Sequence, residues 1–210
     1  MTAVSVFPEQ ISTPNLPLRK HGTWEEFWDL LKTSEYRVEY HKGEIIHEMS
    51  YEPDPHSKLA NRFGHLFELI FDNSDFEIFN SNRPVYITNC ESVFNPDATV
   101  VQLPKELYTY QPGMTAEVSP IVIAEVLSPS TRDRDFVEKL PCYKQIPSVL
   151  YILYAELTHP MVYLYERDTN SGEWRHTFFD TLDSSFELFG KNLALRELYK
   201  RIEFPYGNAR

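Results

Sequence analysis

Residues 120–143 read PIVIAEVLSPSTRDRDFVEKLPCY. Ile121, Val122, Ile123, Val126 and Leu127 form a short apolar run rich in β-branched residues, which predicts a buried strand over 121–126. Glu125 interrupts that run. A carboxylate there loses its hydration and needs a cation, hydrogen bonds or a shifted pKa in return. Ser128, Pro129, Ser130 and Thr131 then make a turn, and 133 to about 145 reads as a helix. Pro141 has no N–H to give, so the helix either begins late, near Glu138, or kinks. Asp135 and Lys139 are spaced i, i+4, and on charge pattern alone they form an exposed ion pair.

A second acid stands out upstream. Asp97 lies in VFNPDATVV, just after Pro96 and at the start of an apolar strand over 98–101. It either caps a turn or joins Glu125 in holding a divalent metal, which would offset the cost of both carboxylates. For Glu125 the competing reading is a structural pair with Arg or Lys. Further strands are expected over 76–79, 85–88, 149–154, 161–165 and 174–179, with a short helix near 193–199. Leu59, Phe63, Leu66, Phe67, Ile70 and Phe71 keep one helical face through 56–72.

Toward the N-terminus, YRVEYHKGEIIHEMS alternates around Lys42-Gly43, a β-hairpin pattern. Before it, Thr23 and Glu26 spell a capping box for a helix bearing Trp24, Phe27, Trp28 and Leu31. Residues 1–22 read as an extended arm and 23–210 as one domain of mixed α/β or α+β type. The segment 103–118, with Pro104, Pro112 and Gly113, reads as a long loop, a lid or a dimer element.

Composition narrows the function. The 210 residues include 20 Lys and Arg against 31 Asp and Glu, a net charge of −11 that excludes a broadly basic coat for nucleic acid but not a local basic groove. Seven scattered glycines permit neither GxGxxG nor a P-loop. Cys90 and Cys142 read as two reduced thiols in preference to one disulfide. His65 follows His56 by nine residues, which is not chelating spacing, and reads as a surface or packing residue. No signal peptide or membrane span is apparent, so a cytoplasmic protein is expected.

PDATVV, IVIAEVLSPSTRDRDFVEKLPCY and the strand VLYILY close behind resemble the Uma-two endonuclease family, which is placed in the restriction endonuclease-like PD-(D/E)XK superfamily. YRVEYHKGEIIHEMS followed by His56 is similar to that family's N-terminal pattern. The likeness covers roughly residues 23–200. It implies a mixed central sheet flanked by helices, with Asp97 and Glu125 as the two acids of the motif binding Mg²⁺ (or Mn²⁺). Leu127 stands where the motif's lysine would be. The family's displaced lysine matches Lys139, about 9 Å along a helix that starts at Asp133, and Glu39 resembles an additional acid near the metal. On this reading the chain hydrolyses DNA phosphodiester bonds. Lys139 assists the attacking water, Arg132 and Arg134 contact backbone phosphates, and two copies pair as a homodimer. The alternative is an inactive nucleic-acid or protein-binding module on the same fold.

Overall fold

The computed structural model describes residues 17–48 and 54–204. Residues 1–16 of the expected arm lie outside the described residues. Strand β1 (Leu18–His21) leads into helix α1 (Trp24–Thr33) and the hairpin of β2 (Arg37–His41) and β3 (Glu44–Glu48). β1 runs antiparallel to β3, so the end of the expected arm is an edge strand. The cap of α1 matches its sequence signature: Thr23 Oγ1 accepts the Glu26 N–H, and the Glu26 carboxylate accepts the Thr23 N–H. Lys42 and Gly43 turn the hairpin with φ of 48° and 87°, as a tight two-residue connection requires.

Helix α2 (Asp54–Ile70) buries the aromatic face read from the sequence. Next come β4 (Phe76–Asn80), β5 (Val85–Ile87), β6 (Ser92–Phe94) and β7 (Ala98–Gln102). The expected loop over 103–118 is instead largely a hairpin of β8 (Leu107–Gln111) and β9 (Met114–Glu117). The prolines and Gly113 suggested irregularity, but Pro112 and Gly113 sit in the turn. Tyr108 and Tyr110 stack on Trp28 of α1, at 5.7 and 5.3 Å between ring centroids, and this packing holds the strand.

Strand β10 (Pro120–Leu127) follows, then a helical segment over 132–143, and then β11 (Tyr151–Glu156), β12 (Val162–Arg167), β13 (Trp174–Phe179), β14 (Ser185–Leu188) and β15 (Lys191–Ala194). The helix Leu195–Leu198 is the last element of the described residues. The 132–143 segment starts at Arg132, earlier than Pro141 suggested. It opens as a helical turn, widens to a π turn over Asp135–Lys139 and closes as an α turn over Leu140–Tyr143. The wider turn accommodates the missing N–H of Pro141 without a break.

Two main sheets result. One has the order β1-β3-β2-β6-β5-β9-β8 and the other β13-β12-β11-β10-β7-β4, while β14 and β15 form a separate ribbon. β10 is buried along its whole length, antiparallel to β7 and parallel to β11. On one face, Val122, Ala124 and Val126 pack with Leu59, Phe63 and Phe67 of α2. On the other, Ile123 and Leu127 pack with Leu140 and Tyr143 of the 132–143 helix and with Phe94 of the first sheet. That helix is therefore wedged between the two sheets.

Cys90 and Cys142 are joined in a disulfide, correcting the expectation of reduced thiols. Fifty-two residues separate them in sequence, yet the fold brings their Cα atoms to 5.5 Å, a disulfide's span.

Phe63 is fully buried where α2 meets the sheet. Phe63→Ala should lower unfolding stability by about 3–5 kcal/mol, read as a shifted urea midpoint with unchanged slope. A shift equivalent to less than about 1 kcal/mol would show that α2 does not close this core.

Candidate active site

The pairing of β10 with β7 sets the site. Ala124 faces Ala98 in the ladder, and continuing that register by one residue brings Asp97 alongside Glu125. Like charges on facing residues repel. Asp97 Oδ2 accepts the Val126 N–H at 2.7 Å, a bond across strands and not a cap on its own turn. His56 Nε2, from the first turn of α2, lies 3.4 Å from that oxygen, and Arg37 Nη1 lies 3.7 Å from Oδ1.

Glu125 shares its face of β10 with Ile123 and Leu127 and so meets the wedged helix. Its Oε1 accepts the Tyr143 hydroxyl at 2.6 Å and the Lys139 ammonium at 3.1 Å. Lys139 Nζ is also 3.3 Å from Asp135 Oδ1 and 3.6 Å from Glu39 Oε1. Glu39, in β2, accepts the Asn95 N–H at 2.7 Å, and the Arg134 guanidinium closes on its other oxygen. All six charged groups, Glu39, Asp97, Glu125, Arg134, Asp135 and Lys139, are buried.

Two cations cannot neutralise four buried acids, and the acids divide accordingly. For Glu39, burial pushes the pKa upward, but Arg134, Lys139 and the Asn95 N–H together outweigh it and hold the carboxyl at about 2. Asp97 is likewise held down against its burial, by His56, the Val126 N–H and Lys139. For Glu125 burial wins: with Asp97 and Asp135 adding to it, the carboxyl rises to about 8 despite Lys139 and Tyr143. Burial raises Asp135 to about 6. Burial alone would lower the Lys139 pKa, but Glu125, Glu39 and Asp135 drive it well above the usual lysine value. Lys139 therefore stays cationic and Glu39 ionised, while Glu125 is the acid that keeps a proton.

The structure thus brings Asp97, Glu125, Lys139 and Glu39 into one cluster. Asp135 and Lys139 are not the exposed pair that their spacing suggested, because the wedged helix turns them inward. Arg134 does not face outward toward a phosphate, since it is buried against Glu39. Arg132 is committed to Glu156 at 3.0 Å and to the Tyr163 hydroxyl at 3.2 Å. Sequence reading passed over Tyr143 and Arg37 and took Asp135 for a surface partner. The i, i+4, i+8 series of Asp135, Lys139 and Tyr143 was the available signal, hidden by Pro141. Among the described residues, no three of the cluster's acids and histidine converge within chelating reach of one another. Asp97 opens onto a cleft of about 420 Å³ between α2 and β4, bordered by Ser57, Asn61, Gly64, Asn80 and Ser81.

The Uma2 family profile, described as "Putative restriction endonuclease", matches residues 24–196. Two uncharacterized proteins of Synechocystis sp. are similar along most of their length. One is 27% identical over 192 residues, 91% of this chain and 95% of its own; the other is 28% identical over 167 residues, 79% and 86%. The crystal structure of "a putative nuclease belonging to DUF820" from Anabaena variabilis superposes with a TM-score of 0.63 at 18% identity, covering 82% of this chain and 97% of that one. The mixed α+β architecture is thus a restriction endonuclease-like fold. Among the described residues no helix is long and apolar enough to cross a membrane.

The raised pKa of Glu125 has a sign in stability. The folded protein keeps up to about pH 8 a proton that the unfolded chain releases near 4.5, so this group makes stability fall as pH rises between those values. Glu125→Gln should flatten that fall in chelator-treated protein. Urea midpoints of parent and variant at about pH 5 and pH 8.5 should diverge in the variant's favour as pH rises. Parallel pH dependences would contradict a proton on Glu125.

Proposed function

The chain belongs to the Uma2 restriction endonuclease family, and on that premise we propose that it is a divalent-metal-dependent endonuclease acting on DNA, with Asp97, Glu125 and Lys139 as its working residues. The observation that carries this reading is the 3.1 Å approach of Lys139 to Glu125 beside Asp97. Acid, acid and lysine meet, although the lysine lies fourteen residues beyond Glu125 and not two.

The donor set suits Mg²⁺ or Mn²⁺. Asp97 and Glu125 offer hard oxygen ligands, and the high pKa of Glu125 marks negative charge that the protein's own cations leave uncompensated. Two protein carboxylates are a usual complement for Mg²⁺, with waters and substrate phosphate completing the shell. When bound, such an ion polarises the phosphate and acidifies a water. Lys139 holds its proton, so it serves as a donor that orients the attacking water or stabilises the charge gathering on phosphate, not as a base. Tyr143 fixes the Glu125 carboxyl through Oε1. Glu39 and Arg134 anchor the helix that carries Lys139, and the cleft beside α2 leads substrate to Asp97. A homodimer would pair two such sites for cutting both strands.

The inactive binding-module reading draws support from two observations: Lys139 already neighbours three carboxylates, and Arg132 and Arg134 are both engaged.

Lys139→Gln should slow cleavage by about 100-fold or more while the stabilisation of the protein by Mn²⁺ persists. Asp97→Asn should lose both. Cleavage at the parental rate by Lys139→Gln would remove the lysine from the mechanism. A parent that binds single-stranded, linear or supercoiled DNA but cuts none of them with Mg²⁺ or Mn²⁺ would favour the binding module. Sedimentation at micromolar protein tests the dimer, which a 24.7 kDa species alone would exclude.

A further inference from the structure

Among the described residues, His41, Cys90 and Cys142 are the set of three metal-capable side chains whose ligand atoms all lie within 4.8 Å of one another. They belong to three elements: β2, the turn before β6, and the wedged helix. We propose that, once the disulfide is reduced, these residues bind a borderline-soft divalent cation of the zinc type, at a site separate from Asp97 and Glu125.

The donor chemistry selects the ion. Two thiolates and an imidazole suit Zn²⁺ and disfavour Mg²⁺, which prefers oxygen. A tetrahedral zinc with Zn–S bonds of about 2.3 Å holds its sulfurs about 3.8 Å apart, which side-chain rotation provides without moving Cα atoms 5.5 Å apart.

The hydrogen bonds around the histidine leave one ring nitrogen for a metal. Ser92 Oγ donates its one hydrogen to the Cys90 carbonyl at 2.8 Å. It can therefore only accept from His41 Nδ1, also at 2.8 Å. Nδ1 then carries the ring proton, and the Nε2 lone pair is left to bind metal. A ligating histidine whose second nitrogen donates to an oxygen is the usual supporting arrangement. Both cysteines are buried among Phe94, Tyr143 and Ile146, which keeps competing water from the sulfurs. His41 is half-buried, so a water can reach the fourth position from its side.

The change of state balances. A dithiol reductant gives two electrons and two protons to the disulfide, becoming a disulfide itself, and zinc binding then releases both thiol protons to solvent. In either state the same two segments stay tied together, so the helix bearing Lys139 keeps its anchor.

Cobalt(II) is the probe, because thiolate ligation gives it an intense charge-transfer absorption that oxygen ligands do not. Protein reduced with excess dithiol, desalted without air and titrated with Co²⁺ should show this band, saturating at one equivalent and erased by Zn²⁺. His41→Asn should weaken affinity by at least the ~10–100-fold that loss of a supporting partner costs, and Ser92→Ala by an amount within that range. Since Cys142→Ser removes a buried side chain and can compromise folding, the oxidised parent serves as the thiol-free control and should bind no cobalt by this signal. Absence of the band in the reduced parent overturns the proposal. So does an unchanged affinity in His41→Asn, or an equal band in the oxidised parent.

Discussion

One ammonium group, buried among more carboxylates than it can neutralise, is the constraint on which this structure turns. Lys139 reaches Glu39 from one sheet, Glu125 from the other and Asp135 on its own helix. None of these groups tolerates burial alone, so the sheets and the helix are obliged to meet at this point. Arg134 relieves part of the deficit by taking Glu39, and the remainder falls on Glu125. Under the proposed function, that remainder is what a hard dication would address.

The wedged helix is held from several directions at once. Arg134 ties it to β2, Tyr143 and Lys139 tie it to β10, and the Tyr154 hydroxyl donates to the Asp135 carbonyl from β11. The Cys90–Cys142 bridge fastens its C-terminal end to the turn before β6. At the surface Arg19 of β1 reaches Glu138 at 2.8 Å, adding a screened and weaker contact. The proposed function would require such fixed supports, because small displacements weaken the chemistry steeply.

Much of this was legible in the sequence, and the reasons differ by residue. Glu125 and Asp97 announced themselves as acids in apolar strands. The capping box and the Lys42-Gly43 turn are local, and local rules suffice for them. Lys139 could be placed by resemblance, but its burial could not, because i, i+4 spacing to Asp135 describes a helix and says nothing about what covers it. Arg134 misled for the same reason: it was read as a phosphate contact, when it compensates a carboxylate ninety-five residues away. The β8–β9 hairpin was hidden behind its prolines, since the tyrosines that stabilise it find their partners on α1. The disulfide, too, depends on a long-range meeting that spacing cannot reveal.

The π turn over Asp135–Lys139 sets the angular phase of the whole constellation. Four residues of ordinary α-helix overshoot a full turn by about 40°, whereas a wider turn advances less per residue. With one turn of each kind in succession, the two errors offset, and Asp135, Lys139 and Tyr143 project in nearly one column toward Glu125. Residue count is thus as binding as residue identity here. Excising Phe136 or Val137 would restore a regular helix and leave the acids in place, yet swing the lysine and tyrosine out of alignment, much as a gear with one tooth missing still turns but no longer meshes.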